Sequence, residues 1–302
     1  MSDLTDTARG ALRMVEAAVS DTLASLDLLN LTPATSMPDD PFDALDPDYI
    51  RATLPALRAL SETYFRSDVS GLERIPAEGP VLLVGNHSCG TMIADTFVFA
   101  QAFYEHFGAD RLFHQLAHDL VFKTPGLRTL VQKYGTVPAS PANMATALER
   151  EAALLVYPGG DEESFRPSWE TAQIGFARRT GFVKLALEHN VPIVPIVAIG
   201  GQETALFLGR GRRVAKALSL NKFARLKVVP PVIGPPFGVT VLDFPGRIPL
   251  PAKITVRVMP PIDLRKKLGK NGDVEEGYRI VTSRMQRTLT RLSNQRTLPV
   301  VG

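Results

Sequence analysis

From Pro80 onward the chain repeats one pattern: a short apolar run, a turn, then a helical stripe. The runs VLLVGN (81–86), LFHQLA (112–117), ALLVYP (153–158) and VPIVPIVAIG (191–200) leave almost no position for solvent, and AKITVRVMP (252–260) alternates as a further strand. A strand that is apolar at every position must be covered on both faces, and the helical segments between the runs supply the cover. That combination predicts an α/β fold, a layered and largely parallel central sheet flanked by helices. Ser140-Pro141 opens a helix running to about Glu151, with serine as cap and proline at the first helical position. Residues 176–189 read as a helix stopped at Asn190. Val274, Tyr278, Val281, Met285, Leu289 and Leu292 form the apolar stripe of a final helix.

Upstream the chain is different. Leu12, Val15, Val19, Leu23 and Leu26 recur at helical spacing, so residues 1–32 read as an N-terminal amphipathic helical segment. Residues 33–48 hold four prolines and a cluster of aspartates, and read as an extended linker. A helix from about Tyr49 to Phe65 then leads the α/β domain, 49–302. The first ten residues mix acids with an arginine, unlike a signal peptide. VPIVPIVAIGG (191–201) is about half the roughly 20 residues of a spanning helix, so any membrane contact is expected to be peripheral. One cysteine, Cys89, excludes an internal disulfide and suits a reducing compartment.

The net charge of +3 conceals an asymmetry. Residues 1–48 carry ten acids and two arginines, which leaves 32 basic and 21 acidic side chains in the remainder. Such a body attracts anions: a phosphorylated ligand, a nucleotide tail, an anionic bilayer or nucleic acid.

In open α/β sheets ligands sit beyond the carboxyl ends of the strands, where both His87 and the loop PGGDEE (158–163) fall. His87 precedes a helix expected to begin near Thr91, and Asp95 lies on its first turns. A carboxylate on one ring nitrogen leaves the other as a base. The plain alternative is a half-buried histidine bonded to backbone, with Asp95 a solvated helix residue. Cys89 lies too near His87 in sequence for a good thiol–imidazole pair, and reads as a small residue in a tight turn. Gly159-Gly160 permits positive φ and bares amides for an oxyanion hole; a simple glycine turn beside an acidic corner is the alternative. Arg166 is placed to pair with a carboxylate or a phosphate. His114 and His118 are four apart but strand-like, with no third ligand, so no metal site is expected. No G-x-S-x-G, Walker loop, dinucleotide fingerprint or H-E-x-x-H occurs.

NHSCGTMIAD (86–95), KYGTVPAS (133–140), VYPGGDEESFRP (156–167) and VPIVPIVAIGG (191–201), in that order, resemble the four blocks of the glycerophospholipid acyltransferase superfamily, specifically its bacterial lysophosphatidate acyltransferase-like members. Three features depart from the common pattern. Seven residues separate His87 from Asp95 instead of four, the third block reads Pro158-Gly159-Gly160 with Glu163 as its glutamate, and Ala139 stands near the usual arginine of the second block.

The resemblance implies a catalytic dyad of His87 and Asp95, with oxyanion donors near Gly159 and Gly160. It implies a substrate-binding Glu163, and phosphate binding among Arg166, Lys123, Arg128 and Lys133. Acyl-CoA is the expected co-substrate, with no cofactor, and 1-acyl-glycerol 3-phosphate, or glycerol 3-phosphate, the expected glycerolipid acceptor, giving phosphatidic acid. The rivals are another lipid acceptor, such as diacylglycerol or a glycolipid, and a non-catalytic lipid-binding protein. No nucleic-acid partner is expected. The site of action is expected to be the cytoplasmic face of the cell membrane, reached through FLGRGRRVAKALSLNKFARLKVV (207–229). Arg210, Arg212, Arg213, Lys216, Lys222, Arg225 and Lys227 occur there with interleaved apolar residues and no acid between Glu203 and Asp243. A basic helix pair packed on the body, or a CoA phosphate site, are the alternatives.

Overall fold

Sheet order explains how this chain sets its loops. In the computed structural model, which describes residues 38, 40–90, 93–122, 127–217, 228–241, 247–298 and 300, seven strands form one sheet in the order β1-β10-β6-β2-β5-β3-β4. They are β1 (Asp68–Ser70), β2 (Val81–Gly85), β3 (Phe113–Ala117), β4 (Thr136–Pro138), β5 (Ala153–Val156), β6 (Ile193–Ile199) and β10 (Thr255–Val258). Strands β6, β2, β5, β3 and β4 are parallel; β10 runs antiparallel to β6, and β1 follows β10. A second, three-stranded antiparallel sheet is made of β7 (Leu206–Phe207), β8 (Pro231–Gly234) and β9 (Gly238–Val241).

The principal helices are α1 (Pro47–Ala59), α2 (Ala94–Phe107), α3 (Leu127–Lys133), α4 (Pro141–Glu149), α5 (Gly160–Ser164), α6 (Gly181–His189), α7 (Arg212–Ala217) and α8 (Val274–Asn294), with further short helical segments, Asp119–Phe122 and Leu264–Leu268 among them. Strand residues alternate between two cores, as a period of two requires. Leu82, Val84, Leu154 and Val156 pack with α6 and with Val281, Met285 and Leu289 of α8. Val81, Leu83, Ala153 and Leu155 pack with Ile50 of α1 and Val98, Phe99 and Phe103 of α2. Both faces are therefore covered, which is why the strands are apolar throughout.

Local chemistry sets the boundaries. Asp46 caps α1, accepting from Tyr49 N at 2.9 Å, and Pro47 follows at the first helical position. Ser140 caps α4 in the same way, accepting from Asn143 N at 3.1 Å. Asn190 closes α6 with φ +54°. That helix starts at Gly181 instead of Phe176, because Ala177 and Arg178 take φ +49° and +55°. The end of the proline-rich stretch packs on the body, with Phe42 buried against the Arg150 guanidinium. Residues 1–37, with the expected amphipathic helix, lie outside the described residues.

Candidate active site

Strands β2 and β5 are parallel neighbours with Val84 opposite Val156. His87 and Gly159 each lie three residues further on, so register alone sets their loops side by side. Asn86 finishes β2 with its side chain: Nδ2 donates to Ala198 O (2.9 Å) and Oδ1 accepts from Ala198 N (2.8 Å), extending the ladder to β6.

The chain then turns sharply, with φ +76° at Cys89 and +61° at Gly90. Every amide of the turn is held. His87 N donates to Glu163 Oε2 (3.0 Å), Ser88 N to Asp95 Oδ2 (2.9 Å), Cys89 N to Gln202 Oε1 (3.3 Å) and Gly90 N to Ser164 O (3.1 Å). Two buried guanidinium groups hold the carbonyl side: Arg166 Nη1 donates to His87 O (2.6 Å) and Arg247 Nη2 to Cys89 O (2.7 Å). A positive φ at a residue other than glycine costs about 1–3 kcal/mol, and partners from three distant segments hold it here.

Asp95 sits buried on the first turn of α2. Its Oδ2 accepts from Ser88 N and Oγ, and its Oδ1 from Thr96 N, each at 2.9 Å. Burial works to raise this carboxyl, but the His87 imidazole and these hydrogen bonds outweigh it, so the group lies below its ordinary value and stays ionised near neutrality. His87 Nδ1 faces Oδ2 at 3.6 Å, too long for a direct hydrogen bond, and has no hydrogen-bond partner among the described residues. Contacts of this kind commonly tighten once substrate is bound.

The His87 ring stacks on Tyr157, with centroids 4.3 Å apart and planes 20° from parallel. The Tyr157 hydroxyl accepts from Thr96 Oγ1 at 2.9 Å, which ties the ring to the helix carrying Asp95. A Cβ on Gly85 would stand 2.5 Å from the tyrosine ring, so the strand must end in glycine. The imidazole is thus held on one face, with Nδ1 toward Asp95 and Nε2 on the opposite edge; the side chain is 14% exposed.

The glycine loop differs in part from the sequence expectation. Gly160, at φ +53°, gives its N–H to Tyr157 O (3.1 Å) and is not free to receive an oxyanion. Gly159 N–H has no acceptor among the described residues, which leaves one open amide on this loop where two were expected. A side chain at Gly159 would collide with Glu163.

Glu163 and Arg166, expected to bind substrate and phosphate, are both buried, Arg166 at 2% exposure. Glu163 accepts from His87 N and from Gly175 N (2.8 Å). Burial raises its carboxyl above the ordinary value, with the Arg166 charge the largest opposing influence. Besides His87 O, the Arg166 guanidinium donates to Glu163 O (3.1 Å) and Thr171 O (3.2 Å). Its two Nη groups serve backbone carbonyls, while the buried Nε has no hydrogen-bond partner among the described residues.

Lys133, a second cation expected to bind phosphate, lies away from His87. It precedes β4, at the end of the sheet opposite His87, where Nζ lies 3.4 Å from Asp46 Oδ2 and 4.2 Å above the Tyr49 ring. Arg128 donates to Gln132 Oε1 on its own helix (3.1 Å). Lys123, Lys222, Arg225 and Lys227 lie outside the described residues. Arg210 grips both oxygens of Glu170 (3.0 and 2.5 Å), and Arg212 pairs with Glu162 (2.8 Å). Arg213 and Lys216 are exposed without an acidic partner among the described residues. His114 is buried in β3 with Nδ1 3.0 Å from Gly135 O, and among the described residues no three metal-type ligands converge.

Cys89 is fully buried, 3.8 Å from Asp95 Oδ1. Burial and the neighbouring carboxylate push its thiol up to about 12, so it is not a nucleophile near neutral pH. Asn86, Ser88, Gln202 and Arg247 were not singled out from sequence. Asn86, directly after a strand and before the histidine, offered a local signal; Gln202 and Arg247 offered none.

An oriented imidazole backed by a buried carboxylate, with an open amide on the next loop, is the equipment of acyl transfer to a hydroxyl. Residues 66–199 match the family model described as Acyltransferase. His87, Asp95, Tyr157, Gly159, Glu163 and Arg166 all fall inside the matched region. The crystal structure of the 1-acyl-sn-glycerophosphate acyltransferase PlsC from Thermotoga maritima shares the fold, with a TM-score of 0.51 at 16% identity over 83% of this chain and 84% of that one.

An uncharacterized protein of Mycobacterium tuberculosis is 30% identical over 221 residues, 72% of this chain and 58% of that protein. The chain thus spans about 58% of the length of that relative. A DGAT1/2-independent enzyme synthesizing storage lipids from Bos taurus is 31% identical over 145 residues, 48% of this chain and 42% of its own length. Phytyl ester synthase 2 of Arabidopsis thaliana is 32% identical over 142 residues, 44% of this chain and 19% of its own.

Proposed function

We propose that this protein is an acyl-CoA-dependent glycerolipid O-acyltransferase acting on 1-acyl-glycerol 3-phosphate, giving phosphatidic acid, or on glycerol 3-phosphate. The observation that carries the reading is the clamped imidazole, with Nδ1 3.6 Å from a buried ionised Asp95 and the ring stacked on Tyr157. His87 Nε2 takes the acceptor hydroxyl proton as the oxygen attacks the thioester carbonyl. Asp95 stabilises the imidazolium, and Gly159 N–H is the candidate donor to the developing oxyanion, a contribution of about 3–4 kcal/mol in comparable sites. The new ester C–O bond forms, the thioester C–S bond breaks, and the proton passes from His87 to the departing CoA thiolate. No acyl-enzyme is formed and no cofactor is used.

A second reading keeps this mechanism and replaces the phosphorylated acceptor with a neutral lipid alcohol such as diacylglycerol. The burial of Arg166 favours it, since that side chain is occupied by backbone. The storage-lipid and phytyl ester enzymes among the relatives support it as well. In either reading the enzyme works peripherally at the cytoplasmic face of the cell membrane; among the described residues no helix is long and apolar enough to cross a bilayer.

Release of CoA thiol by the purified protein, measured with lysophosphatidate, glycerol 3-phosphate and diacylglycerol in turn, separates these readings. Thiol release that requires lysophosphatidate or glycerol 3-phosphate supports the first. Release with diacylglycerol alone supports the second. No release with any acceptor removes the enzymatic reading.

A further inference from the structure

We propose that the outward face of the three-stranded sheet, with Trp169 at its edge, is the surface by which this protein docks on an anionic lipid bilayer. The register places Leu206, Ile233 and Val239 in one cross-strand row and Val241 opposite Pro231. Alternate residues of the same strands are buried: Phe207 and Val232 cluster with Phe165 and Val228, and Thr240 is buried beside Val232 in register. The opposite face of such a sheet is ordinarily polar. Here it is apolar: Leu206 and Val241 are exposed, Val239 is 68% exposed, and Phe237 projects from the β8–β9 turn. Of the eleven exposed large apolar residues among the described residues, seven fall between 206 and 250, so the exposure is concentrated here. Concentrated apolar exposure on a soluble surface marks an interaction site.

Charge decides the partner. No acid occurs between Glu203 and Asp243, and α7, between β7 and β8, presents exposed Arg213 and Lys216 without acidic partners among the described residues. An apolar sheet face joined in sequence to exposed cations without acidic partners among the described residues suits a bilayer, whose apolar interior lies beneath anionic headgroups. Each such cation contributes about 1 kcal/mol near an anionic surface. Trp169, the only tryptophan, is 67% exposed. It follows Ser168, whose hydroxyl accepts from Phe207 N (2.9 Å) on the open edge of β7. Tryptophan settles at the headgroup level of membranes.

Arg247 connects the sheet to the chemistry, lying 5.6 Å from the Phe207 ring centre while holding Cys89 O beside His87. The inference rests on the lipid-acceptor reading for its purpose, but binding is measured without turnover.

The full chain is mixed with vesicles of equimolar phosphatidylcholine and phosphatidylglycerol, and with pure phosphatidylcholine. The expected result is co-sedimentation with the mixed vesicles only, a blue shift of Trp169 emission, and its protection from acrylamide. Val239→Glu/Val241→Glu, at exposed positions, should keep the melting temperature and weaken vesicle binding by about tenfold or more. Arg213→Glu/Lys216→Glu should lose the preference for anionic lipid. Unchanged binding by Val239→Glu/Val241→Glu, or unchanged Trp169 emission with vesicles, would overturn the proposal. So would an oligomer that this double variant dissociates while no vesicle binds, since the face would then be a subunit interface. A catalytically inactive chain that still binds vesicles through this face would refute the transferase reading and leave the docking surface standing.

Discussion

Replacing Arg166 with methionine removes a buried charge while keeping most of the side chain's length. In the native protein the guanidinium opposes the burial penalty on Glu163 and donates to the carbonyls of His87, Glu163 and Thr171. Taking one partner from a buried charged set costs about 3–5 kcal/mol. At about 2–4 °C per kcal/mol for a domain of this size, the melting temperature should fall by roughly 6–20 °C. The loss should depend on pH. Glu163 is already raised by burial, and without Arg166 it rises further. A carboxyl raised in the folded state binds its proton more tightly there than in the unfolded chain, so its contribution is favourable at low pH and lost as pH rises through the folded value. The Arg166→Met deficit should therefore be largest at neutral and alkaline pH and shrink toward the ordinary carboxylate range.

Calorimetry of the wild type, both single variants and Glu163→Gln/Arg166→Met across pH measures this. The double variant should recover about 1–3 kcal/mol relative to additivity. Arg166→Lys keeps the charge without the planar fork, and should lower kcat with the acceptor KM unchanged. An Arg166→Met protein as stable as wild type at every pH, or an Arg166→Lys enzyme with only the acceptor KM raised, would refute this assignment.

Gly85→Ala should displace the Tyr157 ring, and His87 with it, lowering kcat by about tenfold or more while costing only about 1–3 kcal/mol of stability; steady-state kinetics and thermal melts on one preparation separate the two. Cys89→Gly relieves the positive φ but loses a buried thiol, so stability should stay within about 1 kcal/mol of wild type. The native thiol should resist alkylation until the protein unfolds, with no acyl thioester found by mass spectrometry. Asp95 lies below its ordinary pKa, so its contribution is present above the ordinary carboxylate range and lost as pH falls through the folded value. Asp95→Asn should accordingly flatten the acid side of the stability profile and slow transfer by orders of magnitude.

Strands β2, β5 and β6 could be located from sequence because burial on both faces excludes polar residues, and every position of the three is buried. The alternation of β10 was equally readable, but its antiparallel direction was not, because direction depends on the path of the long connection from β6. Strands β1 and β4, three residues each, are too short to carry a pattern. The small sheet lay beside a stretch dominated by its cations, and its apolar outer face became visible only once register set Leu206 beside Ile233 and Val239.

At the site, the pairing of His87 with Asp95 was legible because both lie within ten residues of the end of one strand. The supports of that turn were not: Gln202 and Arg247 reach it across 113 and 158 residues of chain. Arg166 shows the limit most clearly. A guanidinium beside a glycine loop suits a phosphate as well as three carbonyls, and only the packing distinguishes them.

The most direct test of His87 as the general base is turnover by His87→Ala, with folding verified by circular dichroism and thermal melting. CoA release from acyl-CoA in the presence of a productive acceptor should fall by about 10²–10⁴-fold, with the melting temperature close to wild type. A folded His87→Ala protein that turns over at a rate near wild type would contradict the mechanism.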